Sequence, residues 1–431
     1  MATLAASLKD RSLEITQQLL EAITEDYPGR DFAIRFWDGS TWGNVEDPRF
    51  TFVLKHPSAV RRMLSGANQL TMGEAYIYDD FDLEGDMEAA FEFAEYLISH
   101  ELEISKKLQL AALLLKLPGR PRSLALVDPK LEGALHSRQR DREAVTYHYN
   151  LSNDFYSLWL DRRMVYSCAY FQSGDEDIDS AQEQKLDYIC RKLRLQPGER
   201  LLDVGCGWGG LILYAAQKFG VQALGVTLSE PQAKLARARI QEAGLSDRCE
   251  VRVCDYRDLE PKPVYDKIVS VGMFEHVGET CLPEYFRHAW NLLKSGGVFL
   301  NHGIATSATY KRKGPSFMDK YVFPDGGMVP IGTTIRVAEA CGFEVRDLES
   351  LREHYARTLR HWVQRLETHY EEARRLTNET AYRIWRIYMA GSARAFTRGR
   401  INIYQALLSK PQRGEAHLPL TRADWYAEGS G

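Results

Sequence analysis

Long apolar runs are missing from this 431-residue chain. No stretch of 18 uninterrupted apolar residues occurs, so no membrane-spanning helix is expected. The N-terminus, Met1-Ala-Thr-Leu-Ala-Ala-Ser-Leu-Lys-Asp10, has no charged start leading into an apolar core, so no secretory leader is expected either. Cysteine is scarce. Seven cysteines, an odd number at scattered positions, make no disulfide framework. Cys249 and Cys254 stand near each other with no second pair to complete a zinc site, so no metal is expected. Strong charge is also lacking: a net charge of -4 gives no global attraction to nucleic acid. Internal repeats and low-complexity tracts are absent, which excludes a solenoid. The expectation is a soluble, cytoplasmic protein of two domains, with 44% hydrophobic residues to fill their cores.

The most informative stretch is Leu201-Leu-Asp-Val-Gly-Cys-Gly-Trp-Gly-Gly210, followed by Leu211-Ile-Leu-Tyr-Ala-Ala. It reads as a buried strand that ends in glycines and opens onto a helix. Glycine permits a tight turn and a close approach of backbone to ligand, which suits the nucleotide part of a cofactor. A dinucleotide site would space its glycines as G-x-G-x-x-G and place a carboxylate at the end of the second strand. Here the glycines are Gly205, Gly207, Gly209 and Gly210, and the second strand, Val221–Thr227, ends in a hydroxyl. Together with Asp203 before the glycines and Asp255-Tyr256 after the third strand, this spacing fits S-adenosylmethionine better than NAD.

Residues 1 to about 100 alternate short helical and strand-like patterns, such as Phe32–Phe36 and Phe50–Leu54, and Tyr78–Asp86 reads as acidic turns. Next comes Ile104–Leu117, apolar with lysines at intervals and closed by Pro118. A packed helix and linker is the simpler reading; a basic amphipathic helix touching anionic lipid is the other. The boundaries expected are 1–130 for an N-terminal domain with a linker to about 142, 143–409 for a second domain, and 410–431 for a tail. In the second domain five strands alternate with helices: Leu201–Val204, Ala223–Val226, Cys249–Val253, Lys267–Gly272 and Val298–His302. Such alternation predicts a doubly wound parallel sheet with its ligand at the carboxyl ends of the strands. The excursion Tyr310–Pro330 is placed to form a substrate lid. Helical patterns follow over Leu351–Arg375 and Glu379–Ala395.

Strand four runs into Met273-Phe-Glu275-His276 and strand five into His302-Gly-Ile304. A carboxylate and an imidazole at strand ends can act as a general base or hold one. Equally, Glu275 alone is compatible with a helix cap or a ribose contact, His302 with a satisfied core histidine, and Cys168 with a small buried apolar group.

In order along the chain, His148-Tyr-Asn-Leu-Ser-Asn-Asp154, Tyr166-Ser-Cys-Ala-Tyr170, Leu202-Asp-Val-Gly-Cys-Gly-Trp-Gly209, Gly225-Val-Thr-Leu-Ser229, Phe274-Glu-His276, Lys320-Tyr-Val-Phe-Pro324 and His354-Tyr-Ala-Arg-Thr-Leu359 resemble the cyclopropane fatty acid synthases, kin of the mycolic acid cyclopropane synthases. The resemblance runs over about 143–409. It implies an α/β, Rossmann-like S-adenosylmethionine methyltransferase domain beside a smaller N-terminal α+β domain. The implied activity is methylene transfer to the cis double bond of an unsaturated phospholipid acyl chain, and reaching that bond calls for peripheral contact with an anionic membrane surface, for which the basic segments Lys106–Arg122 and Lys311–Lys313 are the candidates; a homodimer is left open. It also implies a bound bicarbonate held by Cys168, Glu275, His302, Ile304 and Tyr355. The implied cofactor contacts are Tyr166, Ser167, the Asp203–Gly209 loop (with Gly205 and Gly207), Thr227, Gln232, Asp255 and Tyr256. There is one departure: Ser392 stands where many relatives carry cysteine, which argues against an obligatory thiol nucleophile at that position.

The chemistry explains the residue types. An isolated alkene is a weak nucleophile, so the methyl donor must be held in line with it where water is excluded. Methyl transfer leaves a carbocation that aromatic faces can stabilise. Ring closure then needs a small base to take a proton from the added methyl. Three rivals remain. One is a relative giving a methylene- or methyl-branched chain; another is a methyltransferase for a small amine, hydroxyl or sterol; the third is a non-catalytic lipid-binding protein.

Overall fold

The computed structural model describes residues 2–43, 46–65, 68–99, 103–119, 140, 151–309, 316–323 and 326–426. The chain divides into two units. One comprises Met1–Asp128, Gly314–Val322 and Asn378–Arg394; the other comprises Pro129–Lys313, Phe323–Thr377 and Ala395–Gly431.

The first unit is built on a four-stranded sheet of β1 (Phe32–Arg35), β2 (Thr41–Trp42), β3 (Phe50–Leu54) and β4 (Phe81–Gly85), in the order β2-β1-β3-β4. β1 and β3 run parallel and the other pairs antiparallel. The segment read as acidic turns contains β4, because Phe81 and Leu83 alternate with Asp82 and Glu84 and so bury one face. Phe32 stacks on Phe50 at 5.2 Å, and Phe93 closes on Phe32 at 4.6 Å. Two stretches that the sequence reading gave to the second domain belong here. In the Glu379–Thr397 helix, Arg383 donates to the carbonyls of Tyr76 and Phe81 and to Asp82. Lys320 and Tyr321 both reach Glu74, at 2.9 and 3.0 Å. Bonds so remote in sequence leave no local pattern.

The second unit carries β5 (Arg200–Val204), β6 (Gln222–Thr227), β7 (Cys249–Val253), β8 (Tyr265–Val271), β9 (Leu293–Thr306), β10 (Val329–Pro330), β11 (Glu344–Ser350) and β12 (Ile401–Ser409). The sheet order is β11-β12-β9-β8-β5-β6-β7, with β10 paired to β9. β5 to β9 are mutually parallel, and β12 lies antiparallel between β9 and β11. The sheet core is split by strand alternation: Leu201 packs on one face, Leu202 and Val204 on the other. From β5 the chain winds outward through β6 and β7, then returns to lay β8 beside β5. That reversal makes a crevice at the carboxyl ends of β5 and β8, where such sheets bind ligands.

Candidate active site

The turn after β5 is built by glycines with left-handed backbone. Gly205 (φ +88°) is hemmed in, because an added Cβ would lie 2.8 Å from Met273 Cβ. Gly207 (φ +53°) is open: an added Cβ would meet no protein atom within 4 Å. Around it lies a cleft with about 1240 Å³ of empty space, its open mouth included. Tyr166, Ser167, Asp203, Gly205, Gly207, Thr227, Gln232, Asp255 and Tyr256 all line it. Gly209 does not line it. It turns the chain into the Gly210–Phe219 helix, where a Cβ would press on Ala236 Cβ at 3.1 Å.

The cleft's polar groups are arranged by neighbours on several elements. Thr227 donates to Gln232 Oε1 at 2.9 Å, linking the end of β6 to the following helix. Asp255 accepts from the Arg257 backbone N–H and holds its guanidinium in two bonds of 2.9 and 2.6 Å. Asp203 is buried, and burial pushes its carboxyl up to about 7 against the pull of Lys185. Lys185 is buried too, and burial lowers its ammonium to about 8 while Asp161, Cys168 and Asp203 favour the charge. Its Nζ donates to Ser167 Oγ at 2.9 Å. Gln182, one turn earlier, donates to the carbonyls of Val165 and Ser167 and so fixes the Val165–Ser167 segment of the wall.

Cys168, Glu275, His302, Ile304 and Tyr355 do not line this cleft but sit beside and behind its walls. Gly272 and Met273, which do line it, lead directly into Glu275, and the Gly272 N–H donates to the His302 carbonyl. Glu275 Oε1 accepts the Ile304 N–H at 2.7 Å. Its other oxygen is buried without a protein partner, and burial pushes the carboxyl up to about 7. His302, on β9, is 0% exposed; its Nε2 likewise has no protein partner. Burial, aided by the positive charges of Lys185 and Lys192, keeps its imidazole neutral. The Cys168 thiol points to the Ala169 and Leu351 carbonyls, and burial raises its pKa, so it is no thiolate nucleophile. Leu351 bonds in turn to Ile403, the cross-strand partner of Ile304. Tyr355 belongs to a run of rings: Trp159 to Tyr166 (5.4 Å), Tyr166 to Trp362 (5.3 Å), Trp362 to Tyr355 (6.1 Å) and Tyr355 to Phe396 (4.7 Å).

Two residues were missed from sequence. Lys185 lies with Gln182, Ile189 and Lys192 on the buried stripe of the Ile178–Leu193 helix, and polar residues at core spacing were the available sign. Gln405 is buried on β12 and faces His302; without β12 nothing marked it. His148 and the basic segment Lys311–Lys313 lie outside the described residues.

Residues 136–406 match the mycolic acid cyclopropane synthetase family model, and residues 17–100 match a domain of unknown function. A probable fatty acid methyltransferase of Pseudomonas putida is 40% identical, covering 91% of this chain and 95% of its own. The cyclopropane-fatty-acyl-phospholipid synthase of Escherichia coli K12 is 37% identical over 64% of this chain and 70% of its own. Among solved structures, mycolic acid cyclopropane synthase CmaA1 complexed with SAH and CTAB superposes with a TM-score of 0.59 at 35% identity, over 62% of this chain and 97% of that one.

Proposed function

The chain belongs to the mycolic acid cyclopropane synthetase family of S-adenosylmethionine-dependent methyltransferases, and from that premise we propose that it builds a cyclopropane ring on the cis double bond of an unsaturated phospholipid acyl chain, with bicarbonate as base. The observation that carries this reading is the pair of orphaned polar atoms, Glu275 Oε2 and His302 Nε2, buried beside the cleft. Buried polar atoms without partners are costly, and a small oxyanion with a proton of its own can satisfy both. When bound, S-adenosylmethionine supplies an electrophilic methyl group and bicarbonate a proton acceptor.

The protein's part is placement and exclusion. The glycine turn and Asp203 shape the cofactor cleft, and Lys185 and Gln182 hold its Val165–Ser167 wall. Ile304 N–H fixes one oxygen of Glu275, leaving the second to face a ligand. With its carboxyl near neutrality, Glu275 can donate a proton to an anion or accept one from it. Neutral His302 adds polarity without placing a second positive charge near the reacting carbons. Tyr166, at the cleft wall, can offer its π face to a cation, and the buried rings behind it keep that wall dry. The test is product analysis in a host lacking the activity: lipids should gain a CH2 and show high-field cyclopropane protons. Removing dissolved carbonate should slow turnover reversibly; indifference to carbonate overturns the base.

A second reading draws support from a relative that matches 91% of this chain and bears the name probable fatty acid methyltransferase. It makes the product methylene- or methyl-branched, and olefinic or branch-methyl signals in place of cyclopropane protons would establish it.

The acyl double bond of a phospholipid lies inside a hydrocarbon core about 30 Å thick, so the enzyme must meet the membrane. No helix among the described residues is long and apolar enough to cross one. In the first unit, the Ile104–Lys116 helix exposes Ile104 (77%), Leu108 (68%) and Leu115 (72%) along one side. We propose this stripe as the membrane contact. Lys106, expected as a docking charge, is engaged by Glu25 at 2.8 Å and Asp26 at 3.6 Å. Three inserted side chains contribute about 5 kcal/mol, against about 2 kcal/mol from Lys107 and Lys116 on an anionic surface. Vesicle co-sedimentation should therefore fall more on Leu108→Ser with Leu115→Ser than on neutralising both lysines.

A further inference from the structure

We propose that Gln405 is a positioning residue that holds His302 as its Nε2–H tautomer, turning a neutral imidazole into a hydrogen-bond donor at the buried anion site. The inference rests on the reading above for the identity of the acceptor, but its geometry is independent of it. Gln405 and His302 are direct cross-strand partners in the antiparallel β12–β9 ladder. Residues so paired put their side chains on the same face of the sheet, within reach of each other. Both are buried, and the Gln405 amide nitrogen lies 3.4 Å from His302 Nδ1. In this orientation the amide nitrogen donates, Nδ1 accepts, and the single proton of a neutral imidazole resides on Nε2.

The surroundings favour this arrangement. His302 Nε2 has no protein partner, and neither does Gln405 Oε1. The charged groups bearing on the ring are Lys185 and Lys192 of the Ile178–Leu193 helix, and both oppose an imidazolium. A neutral ring is thus fixed by its environment, but which nitrogen carries the proton is not. With the amide turned over, Oε1 would accept from Nδ1–H and Nε2 would present a lone pair, able to take the anion's own proton but not to donate to its charged oxygens. Glutamine at 405 can serve the donor role; a glutamate there would accept from Nδ1–H and reverse the tautomer.

Histidine-selective 15N labelling, with two-bond 15N–1H correlation and assignment of His302 by its loss in His302→Gln, reads the tautomer without any substrate. The expected wild-type pattern is a protonated Nε2 and an unprotonated Nδ1. Gln405→Glu should move the proton to Nδ1, and Gln405→Met, close in volume and unable to hydrogen-bond, should mix the two tautomers. In both variants kcat should fall by about tenfold to a hundredfold, the loss typical of groups that orient a histidine, with cofactor affinity unchanged. An Nδ1–H tautomer in the wild type overturns the proposal with no variant needed, and so does unchanged kcat in a folded Gln405→Met protein. If turnover ignores dissolved carbonate while the tautomer is as expected, the bicarbonate reading fails and the positioning role of Gln405 stands.

Discussion

In the cleft proposed for the cofactor, buried charges are set against opposite ones: Arg257 clasps Asp255 in an ion pair, and the Lys185 ammonium acts on Asp203 through its field without bonding to it. In the neighbouring cluster, Glu275 Oε2, His302 Nε2 and Gln405 Oε1 have no protein partner at all. Both regions belong to the same sheet, yet they handle buried polarity in opposite ways. A paired buried charge stabilises geometry, and breaking the pair is costly. An unpaired polar atom is a standing cost that a bound group removes, so it reports where a ligand belongs. The difference separates groups that shape the site from groups that wait for something to fill it.

The sharpest way to break this contrast is Glu275→Gln. Turnover should drop by about a hundredfold to ten-thousandfold while cofactor affinity by calorimetry stays the same. The thermal midpoint should hold or rise, because the change removes a carboxylate that burial disfavours. A fall in stability comparable to that of a broken ion pair would mean that Glu275 belongs with the structural charges.

On the paired side, Lys185→Met should behave in the opposite sense. It removes the charged hydrogen bond to Ser167 and the positive field on Asp203 and Asp161, so unfolding should become easier by about 2 kcal/mol. Cofactor affinity should fall with it. Denaturant melts and calorimetry on the same preparation test both.

Linkage gives a somewhat smaller effect. Asp203 and Glu275 both titrate near 7 in the fold, against 3.8 and 4.5 when exposed. Between those values the unfolded chain has released protons that the folded chain retains, so these two groups make stability fall as pH rises from about 4.5 to 7. Their contribution is present at the acidic end and lost above 7. Glu275→Gln should flatten this slope in pH-dependent melts, and an unchanged slope would show that Glu275 does not titrate there.

The two glycines sharpen the comparison within the cleft itself. Gly207→Ala should cost only about 1–2 kcal/mol of stability, from left-handed strain, yet weaken cofactor binding because its methyl enters the open cleft. Gly205→Ala should destabilise more, since its Cβ would meet Met273 at 2.8 Å. Equal losses in both variants would argue that the space over Gly207 is not where the cofactor lies.

The sequence by itself determined the doubly wound sheet from β5 to β9, since each strand is a short apolar run closed by glycine or a polar turn. It also pointed to the cleft, because left-handed glycines and strand-end polar residues are local requirements written at fixed spacing. What only the tertiary structure decided is long-range. The Asn378–Arg394 and Gly314–Val322 stretches join the first unit through Arg383, Lys320 and Tyr321, whose partners lie hundreds of residues away. β12 exists because nine residues pair along β9, and that pairing alone sets Gln405 against His302. Gly209 reads as a cofactor contact in sequence, and in the fold it also packs closely enough on Ala236 that a side chain there would press on it. Local steric demands leave a pattern in neighbouring residues; partners brought together by sheet registry and buried polar networks leave none, because each half is unremarkable until the other is in place.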